Sequence, residues 1–422
     1  MIVMGGIVGS GIFINPYVVA LQVHTPALIL GAWCAGGVLA MLGAFIWAEL
    51  ATRLPGAGGQ YLYLREAYHP SIAFLYGWVL LLVTQTGGMA AVAVAFAKYF
   101  REVTGSTASD SVIAATTLLG LTAINCFGVR AGSNVQNLLM VLKTAAIAVL
   151  VFAGLWLGGG TIHATPVLDR PAGFGLLAAI GAAMIPIAFA YGGWQTASFV
   201  AGEMRDPRRD LSRGLVFGVI GVVVLYLAVN FVCVKVLGPA GLAETRAPAS
   251  AVMRIALGPS GGFWIALGIA VSTLGFLSQG ILTAPRVYYA MARDGLFFKS
   301  VGWLSPSSGA PVVAIIIQGL AATVICLSGR YEQILNYVVS VDFILFGFTA
   351  ASLFVFRKRG TGDGPELYRT PGHPYTTAAF VIGCAAIVGT TIATYPSNTA
   401  IGLGILIAGI PVYFYWSRKN KR

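Results

Sequence analysis

Charge is what this sequence has least of. Only 9% of its 422 residues are Asp, Glu, Lys or Arg, against about 25% in an ordinary soluble domain. So few charges cannot cover a globule of this size in water. The scarcity is uneven as well: residues 1–48 contain no Lys, Arg, Asp or Glu, and neither do residues 370–417. Cysteine is nearly as scarce. Cys34, Cys126, Cys233, Cys326 and Cys384 lie far apart in apolar stretches, with no Cys-x-x-Cys pair. They read as small buried side chains and exclude a disulfide scaffold, a metal site or a redox centre. His24, His69, His163 and His373 have no ligand partner at helical spacing, so no metal is expected. There is no Walker loop, no His-Glu-x-x-His and no Gly-x-Ser-x-Gly, which removes the chemistry of an ATP-driven pump or a membrane hydrolase. No cofactor is expected. What the chain has is apolar surface: 57% of it is hydrophobic, in uncharged runs well beyond the roughly 18 residues that mark a candidate membrane span. Disorder, a secreted scaffold and a soluble enzyme are excluded. An all-α polytopic membrane protein is what remains.

The two uncharged runs, 1–48 and 370–417, are each too long for one crossing of about 20 residues. His24-Thr25-Pro26 splits the first and Tyr395-Pro396-Ser397-Asn398 the last. Single spans fit 70–100, 111–128, 134–158, 174–202, 212–236, 258–286, 310–329 and 332–356. The sequence therefore predicts twelve transmembrane helices, with both termini on one side. Placing the termini in the cytoplasm puts 18 Lys and Arg residues inside and 7 outside, with Lys143 inside a span. That asymmetry satisfies the positive-inside rule and predicts a multi-pass protein of the cell (plasma or inner) membrane. The net charge of +12 then faces anionic lipid, and nucleic acid is not an expected partner. Met1 opens directly into an apolar segment with no basic region before it and no cleavage site after it. A secretory signal peptide is not expected, and the real start is expected upstream.

Two spans carry residues that a continuous helix does not favour. Met4-Gly5-Gly6-Ile7-Val8-Gly9-Ser10-Gly11-Ile12-Phe13 places four glycines and a serine at mid-membrane depth in span 1. In span 6, Pro186 precedes Phe189-Ala190-Tyr191-Gly192-Gly193-Trp194. Proline removes one helical hydrogen bond, and glycine costs about 1 kcal/mol in a helix interior. Both spans are expected to unwind there. Irregular backbone persists inside a bilayer only where it lines a cavity, and breaks five spans apart match an inverted repeat. The opened ends would offer N–H groups of Ser10, Gly11 and Ile12 to a carboxylate. Carbonyls near Ile7, Phe189 and Ala190 would accept from an ammonium group. A zwitterionic α-amino acid fits that pair of ends. The other reading of the glycines is close helix packing.

Gly9-Ser10-Gly11-Ile12-Phe13 and Phe189-Ala190-Tyr191-Gly192-Gly193-Trp194 resemble signatures of the amino acid–polyamine–organocation (APC) superfamily. Bacterial relatives of its L-type amino acid transporter branch match best. Ala48-Glu49-Leu50, Pro55-Gly56-Ala57-Gly58-Gly59-Gln60-Tyr61 and Tyr63-Leu64-Arg65-Glu66-Ala67 are similar to the first cytoplasmic loop of that family. Glu203 with Asp206-Pro207-Arg208-Arg209 resembles the loop after its sixth helix, and Arg369-Thr370-Pro371-Gly372 the approach to its eleventh. The resemblance implies a single transmembrane transporter domain over 1–422. Within it, 1–160 and 170–358 would form a five-plus-five inverted-repeat core with broken helices 1 and 6, and 370–417 the two accessory helices 11 and 12. It further implies alternating access and L-amino acid cargo. Ile7, Gly9, Ser10, Gly11 and Ile12 would hold the substrate backbone, with Phe189, Ala190, Tyr191 and Gly192 beside it and Phe189 and Trp194 as gate. The segment 101–110 has no cysteine, so the disulfide-linked heavy chain of animal members is not expected.

Two charges sit inside spans. Lys143 lies roughly 13 Å deep in span 5, near mid-membrane, and Asp342 lies at similar depth in span 10. Buried charges in a membrane mark function by default. The resemblance implies that the Lys143 ammonium stands where sodium-coupled relatives bind the ion, and hence sodium independence. Ser272, Thr273 or Ser278 of span 8 is expected to accept from it, and a proton-carrying role is a further expectation. Asp342 reads equally as a gate or as a structural residue with a polar partner. Gln85, Thr86 and Asn336 fit polar cavity lining or helix packing. The leading expectation is a sodium-independent carrier of neutral L-amino acids, by exchange or proton symport. A cationic amino acid or polyamine carrier is the alternative. A channel lacks its filter loop, and a membrane enzyme lacks a catalytic cluster.

Overall fold

The computed structural model describes residues 2–127, 129–160, 166–204, 206–328, 331–364 and 367–419, excepting the side chains of 129–133, 331–337 and 419. Among the described residues every regular element is a helix. Nine helices among the described residues are long and apolar enough to cross a bilayer. They are Pro26–Arg53 (span 2), Pro70–Thr104 (span 3), Asn134–Trp156 (span 5), Phe174–Glu203 (span 6), Pro207–Glu244 (span 7), Pro259–Arg293 (span 8), Val338–Arg359 (span 10), Tyr375–Thr394 (span 11) and Pro396–Arg418 (span 12). The other expected crossings fall on shorter apolar helices: Gly11–Ala20 (with Ile2–Ile7, span 1), Asp110–Cys126 (span 4) and Val312–Leu327 (span 9). A further short helix, Pro248–Leu257, occupies what the sequence suggested was a loop.

Proline sets many of the helix starts, where its missing N–H costs nothing. Pro26, Pro70, Pro207, Pro248, Pro259 and Pro285 all stand in first turns. At the elbow between spans 1 and 2, Thr25 caps the new helix by accepting from the Leu28 N–H at 3.2 Å. Its hydroxyl donates to the Val167 carbonyl at 2.9 Å, tying this elbow to the segment before span 6. Span 7 is interrupted near its end by Gly238, whose φ of 68° leaves the helical range.

Large apolar side chains left bare mark the lipid-facing surface. Leu138, Val141, Val149 and Phe152 of span 5 are exposed, whereas Gln136, Met140, Lys143, Ile147 and Leu150 on its other face are buried. Spacings of three and four separate the buried set, so Lys143 points into the protein and cannot snorkel along the lipid face.

The two surfaces beyond the apolar layer are pinned by charge. On one, called here the basic face, the fully buried Glu49 of span 2 accepts from Arg53 Nε at 3.0 Å, from Arg357 of span 10 at 2.9 and 2.7 Å, and from the Thr370 N–H at 2.7 Å. Arg53 continues to Asp363 at 2.9 Å. Arg286 of span 8 pairs with Glu203 at 2.8 Å, and Asp294 takes Arg65 and the Tyr61 hydroxyl. On the opposite face, Asp169 accepts from the His24 N–H at 3.0 Å and pairs with Arg170, which also donates to the Gln22 carbonyl at 3.0 Å.

Removing one partner of a buried ion network leaves the others uncompensated, at about 3–5 kcal/mol. Glu49→Ala is expected to lower the melting temperature of the purified protein by several degrees; a melt indistinguishable from wild type would show that the network contributes nothing. The opposite face gives a pH test. Hydrogen bonding to Arg170, helped by His24, pulls the Asp169 carboxyl down to about 2. Because its folded value is depressed, the latch is whole above its ordinary value near 4 and is lost as pH falls toward 2. Protection factors of amides 167–170, with the intrinsic pH dependence of exchange divided out, should hold steady from pH 7 to 5 and drop below 4. An onset near pH 6 would contradict the assignment.

Candidate functional site

Span 1 opens between the helices Ile2–Ile7 and Gly11–Ala20. Val8, Gly9 and Ser10 belong to neither helix, as the glycines predicted. Peptide groups freed in an apolar layer must find partners, and this break finds them in side chains. The Lys143 ammonium donates to the Gly5 carbonyl at 2.9 Å and the Val8 carbonyl at 2.6 Å. The Tyr226 hydroxyl of span 7 lies 3.2 Å from the Ile7 carbonyl and 3.3 Å from that of Ala190. Ser272 of span 8 donates to the Gly9 carbonyl at 3.2 Å. Beyond the break, the helix from Gly11 presents first-turn N–H groups with no carbonyl a turn earlier in the same helix. Ser10 makes no side-chain cap to them, so this positive helix end faces whatever lies in front of it.

Span 6 breaks later than its proline suggested. The helix Phe174–Tyr191 runs through Pro186, and Asn15 of span 1 donates to the Pro186 carbonyl at 2.7 Å. The chain leaves the helix only at Gly192, which is extended, and Gly193, at φ 108°. A 3-10 helix, Trp194–Glu203, follows. Gly193 is glycine for two reasons: its φ is left-handed, and a β-carbon there would collide with the Gly6 carbonyl oxygen. Reciprocally, a β-carbon on Gly6 would sit 2.6 Å from the Gly193 carbonyl oxygen. The two breaks thus touch, backbone against backbone.

A cavity of about 90 Å³ lies where they meet. One water needs roughly 10–15 Å³ by this measure, so there is room for a small polar molecule. Of the sequence-predicted residues, Ile7, Gly9, Ser10, Gly11, Phe189, Ala190, Gly192, Gln85 and Asp342 line it. Ile12 and Tyr191 are buried behind the wall, with the Tyr191 hydroxyl on the Trp33 carbonyl at 3.2 Å. Trp194 is packed against Trp47, ring centroids 4.8 Å apart, and against Phe346 and Phe380. Lys143 serves the span 1 carbonyls from behind. The Ser272 and Thr273 hydroxyls are committed to other carbonyls, and Ser278 has no partner among the described residues. Thr86 turns back to the Leu81 carbonyl at 2.7 Å, and the Asn336 side chain lies outside the described residues.

Several lining residues gave no signal in the sequence. A π-helical turn, Leu80–Thr84, brings Thr84 to the wall beside Tyr76 and the expected Gln85, and such turns recur at functional sites. Gln279 of span 8 donates to Thr196 at 2.7 Å, and Thr196 to the Gly193 carbonyl at 2.6 Å. That relay fixes the loosened peptide of span 6. The cavity therefore offers a positive helix end on one side, loosened carbonyls on the other, and one carboxylate, Asp342, on the wall. Such an arrangement is chemically complementary to a molecule carrying both charges.

Residues 1–415 match the family model described as amino acid permease. The chain is 30% identical over its whole length to the serine/threonine exchanger SteT of Bacillus subtilis, covering 95% of that protein. It is 31% identical over 84% of its length to the human b(0,+)-type amino acid transporter 1, covering 74% of it. It is 27% identical over its whole length to the human large neutral amino acids transporter small subunit 2, covering 80% of that chain. The chain belongs to the amino acid permease family of the APC superfamily: it is a membrane transporter of amino acids and not an enzyme.

The backbone contact can be probed by methyl addition. Gly193→Ala imposes both a left-handed alanine, at about 1–2 kcal/mol, and the collision with Gly6. Gly192→Ala meets its nearest foreign atom, the Phe189 carbonyl oxygen, at 3.3 Å in an ordinary conformation. Gly193→Ala is expected to lower the melting temperature clearly and Gly192→Ala only slightly. The reverse order would mean that the two breaks do not touch at Gly6 and Gly193.

Proposed function

We propose that the protein is a sodium-independent secondary transporter of neutral L-amino acids, working by exchange or proton symport. The observation that carries this reading is the joint opening of spans 1 and 6 into one cavity. In it the substrate carboxylate takes the N–H groups of Ser10, Gly11 and Ile12 at the start of Gly11–Ala20. The substrate ammonium takes carbonyls around Ile7, Phe189 and Ala190. Phe189 closes over it as the gate, supported by the fixed Trp194. Lys143 supports sodium independence, because its ammonium already supplies positive charge to the Gly5 and Val8 carbonyls. A five-plus-five repeat, 1–160 against 170–358, would supply alternating access, and the excess of basic residues on one face favours cytoplasmic termini. With no cysteine in 101–110, no disulfide-linked partner is proposed. The relatives' names, a serine/threonine exchanger and a large neutral amino acid transporter, favour neutral cargo.

A second reading has one observation in its favour. Asp342 lines the cavity, and a carboxylate there would receive a cationic side chain. Liposomes loaded with unlabelled substrate decide between the two. Uptake of labelled amino acid is expected to be stimulated from the opposite side, equally in sodium and in choline, with alanine or leucine as the better competitors. If arginine or putrescine outcompetes both, and Asp342→Asn abolishes that, cargo is cationic. Lys143→Met strips two mid-membrane carbonyls of their donor and should lower uptake more than tenfold. Wild-type uptake by that variant, or a requirement for sodium, contradicts the role given to Lys143.

A further inference from the structure

A second concavity, of about 690 Å³, opens on the basic face, away from the central cavity. Its walls come from the start of span 7, with Arg208, Arg209, Arg213 and Phe217, and from Leu367 and Tyr368 between spans 10 and 11. None of the three arginines takes part in the ion pairs found among the described residues. The acidic residue at the rim, Asp206, is engaged as helix cap and accepts from the Arg209 N–H at 3.1 Å. Three arginines thus line this space against one capping carboxylate.

The same helix face continues into the apolar layer. Arg209, Arg213, Phe217, Ile220 and Val224 follow one another at spacings of four, four, three and four, which keeps them on one stripe. Phe217, Ile220 and Val224 are 68%, 42% and 61% exposed. From Arg213 to Val224 the stripe runs about 16 Å, half the roughly 30 Å of a hydrocarbon core. A free anion would need only the arginines; a stripe that passes from basic to apolar over one leaflet matches a headgroup with its acyl chains.

We infer that this surface binds one anionic phospholipid, its phosphate among Arg208, Arg209 and Arg213 beside Tyr368 and its chains along Phe217, Ile220 and Val224. Bound there, the lipid bridges span 7, which follows directly on broken span 6, to the segment that leads into span 11. The inference stands apart from the choice of cargo.

Native mass spectrometry of the purified full chain with equal amounts of phosphatidylglycerol and phosphatidylcholine tests it. Phosphatidylglycerol should be retained at least tenfold better. Each of Arg209→Gln and Arg213→Gln should lower its retention about fivefold, the worth of roughly 1 kcal/mol per basic residue at a membrane surface. Phe217→Gln should weaken both lipids and keep the preference. Melting without added lipid should be unchanged in the exposed arginine variants, separating lost binding from misfolding. Equal retention of the two lipids, or an Arg209→Gln/Arg213→Gln protein with wild-type preference, overturns the inference. So does displacement by millimolar glycerol phosphate, which would mark a simple anion site.

Discussion

An opened peptide inside a bilayer has no water to turn to, and each unsatisfied group costs several kcal/mol. The fold therefore depends on what takes the carbonyls that span 1 gives up around its break, those of Gly5, Ile7, Val8 and Gly9. Lys143 takes two, Tyr226 lies against a third and Ser272 takes a fourth. These donors come from spans 5, 7 and 8, so the break is held open from three sides. Because the carbonyl end is satisfied from behind, the N–H groups on the other side of the break are left facing the cavity. One constraint thus explains both a buried lysine and a site without charged side chains from span 1.

The same economy joins local structure to motion. Gly193 places span 6 against Gly6 and leaves a single non-helical pair between Phe174–Tyr191 and Trp194–Glu203. The half of span 6 nearer the basic face, Trp194–Glu203, is gripped at one end by the Gln279–Thr196–Gly193 relay and at the other by Glu203 with Arg286. Any tilt of that half-helix must pivot at Gly192–Gly193 and loosen the ion pair at the membrane surface. Trp47, Trp194, Phe346 and Phe380 form the apolar bearing behind it.

Much of this was legible in the residues, because glycine, proline and charge act locally. Gly9 and Gly192–Gly193 marked the breaks, Thr25-Pro26 marked an elbow, and a chain with only 9% charged residues could only be a bundle in lipid. Pro186 misled, since one lost hydrogen bond is absorbed within the helix while Asn15 engages the carbonyl of that residue. The partners of Lys143 were not legible either. Seryl and threonyl hydroxyls were the obvious acceptors, whereas the opened carbonyls of a helix more than 130 residues away in sequence are the real ones. Tyr226, Gln279 and Thr196 carry no motif and become visible only when distant spans pack. Trp194 looked like a gate by position in its motif, yet its ring is enclosed by three other aromatics.

The central claim is that bare peptide dipoles of spans 1 and 6 seat a zwitterion. A structure of the protein with a bound amino acid tests it most directly. The account places the ligand carboxylate within hydrogen-bonding distance of the N–H groups of Ser10, Gly11 and Ile12, and its ammonium against carbonyls of Ile7, Phe189 or Ala190. A ligand held elsewhere, or found with continuous helical hydrogen bonding through Gly9 and Gly192, would contradict it.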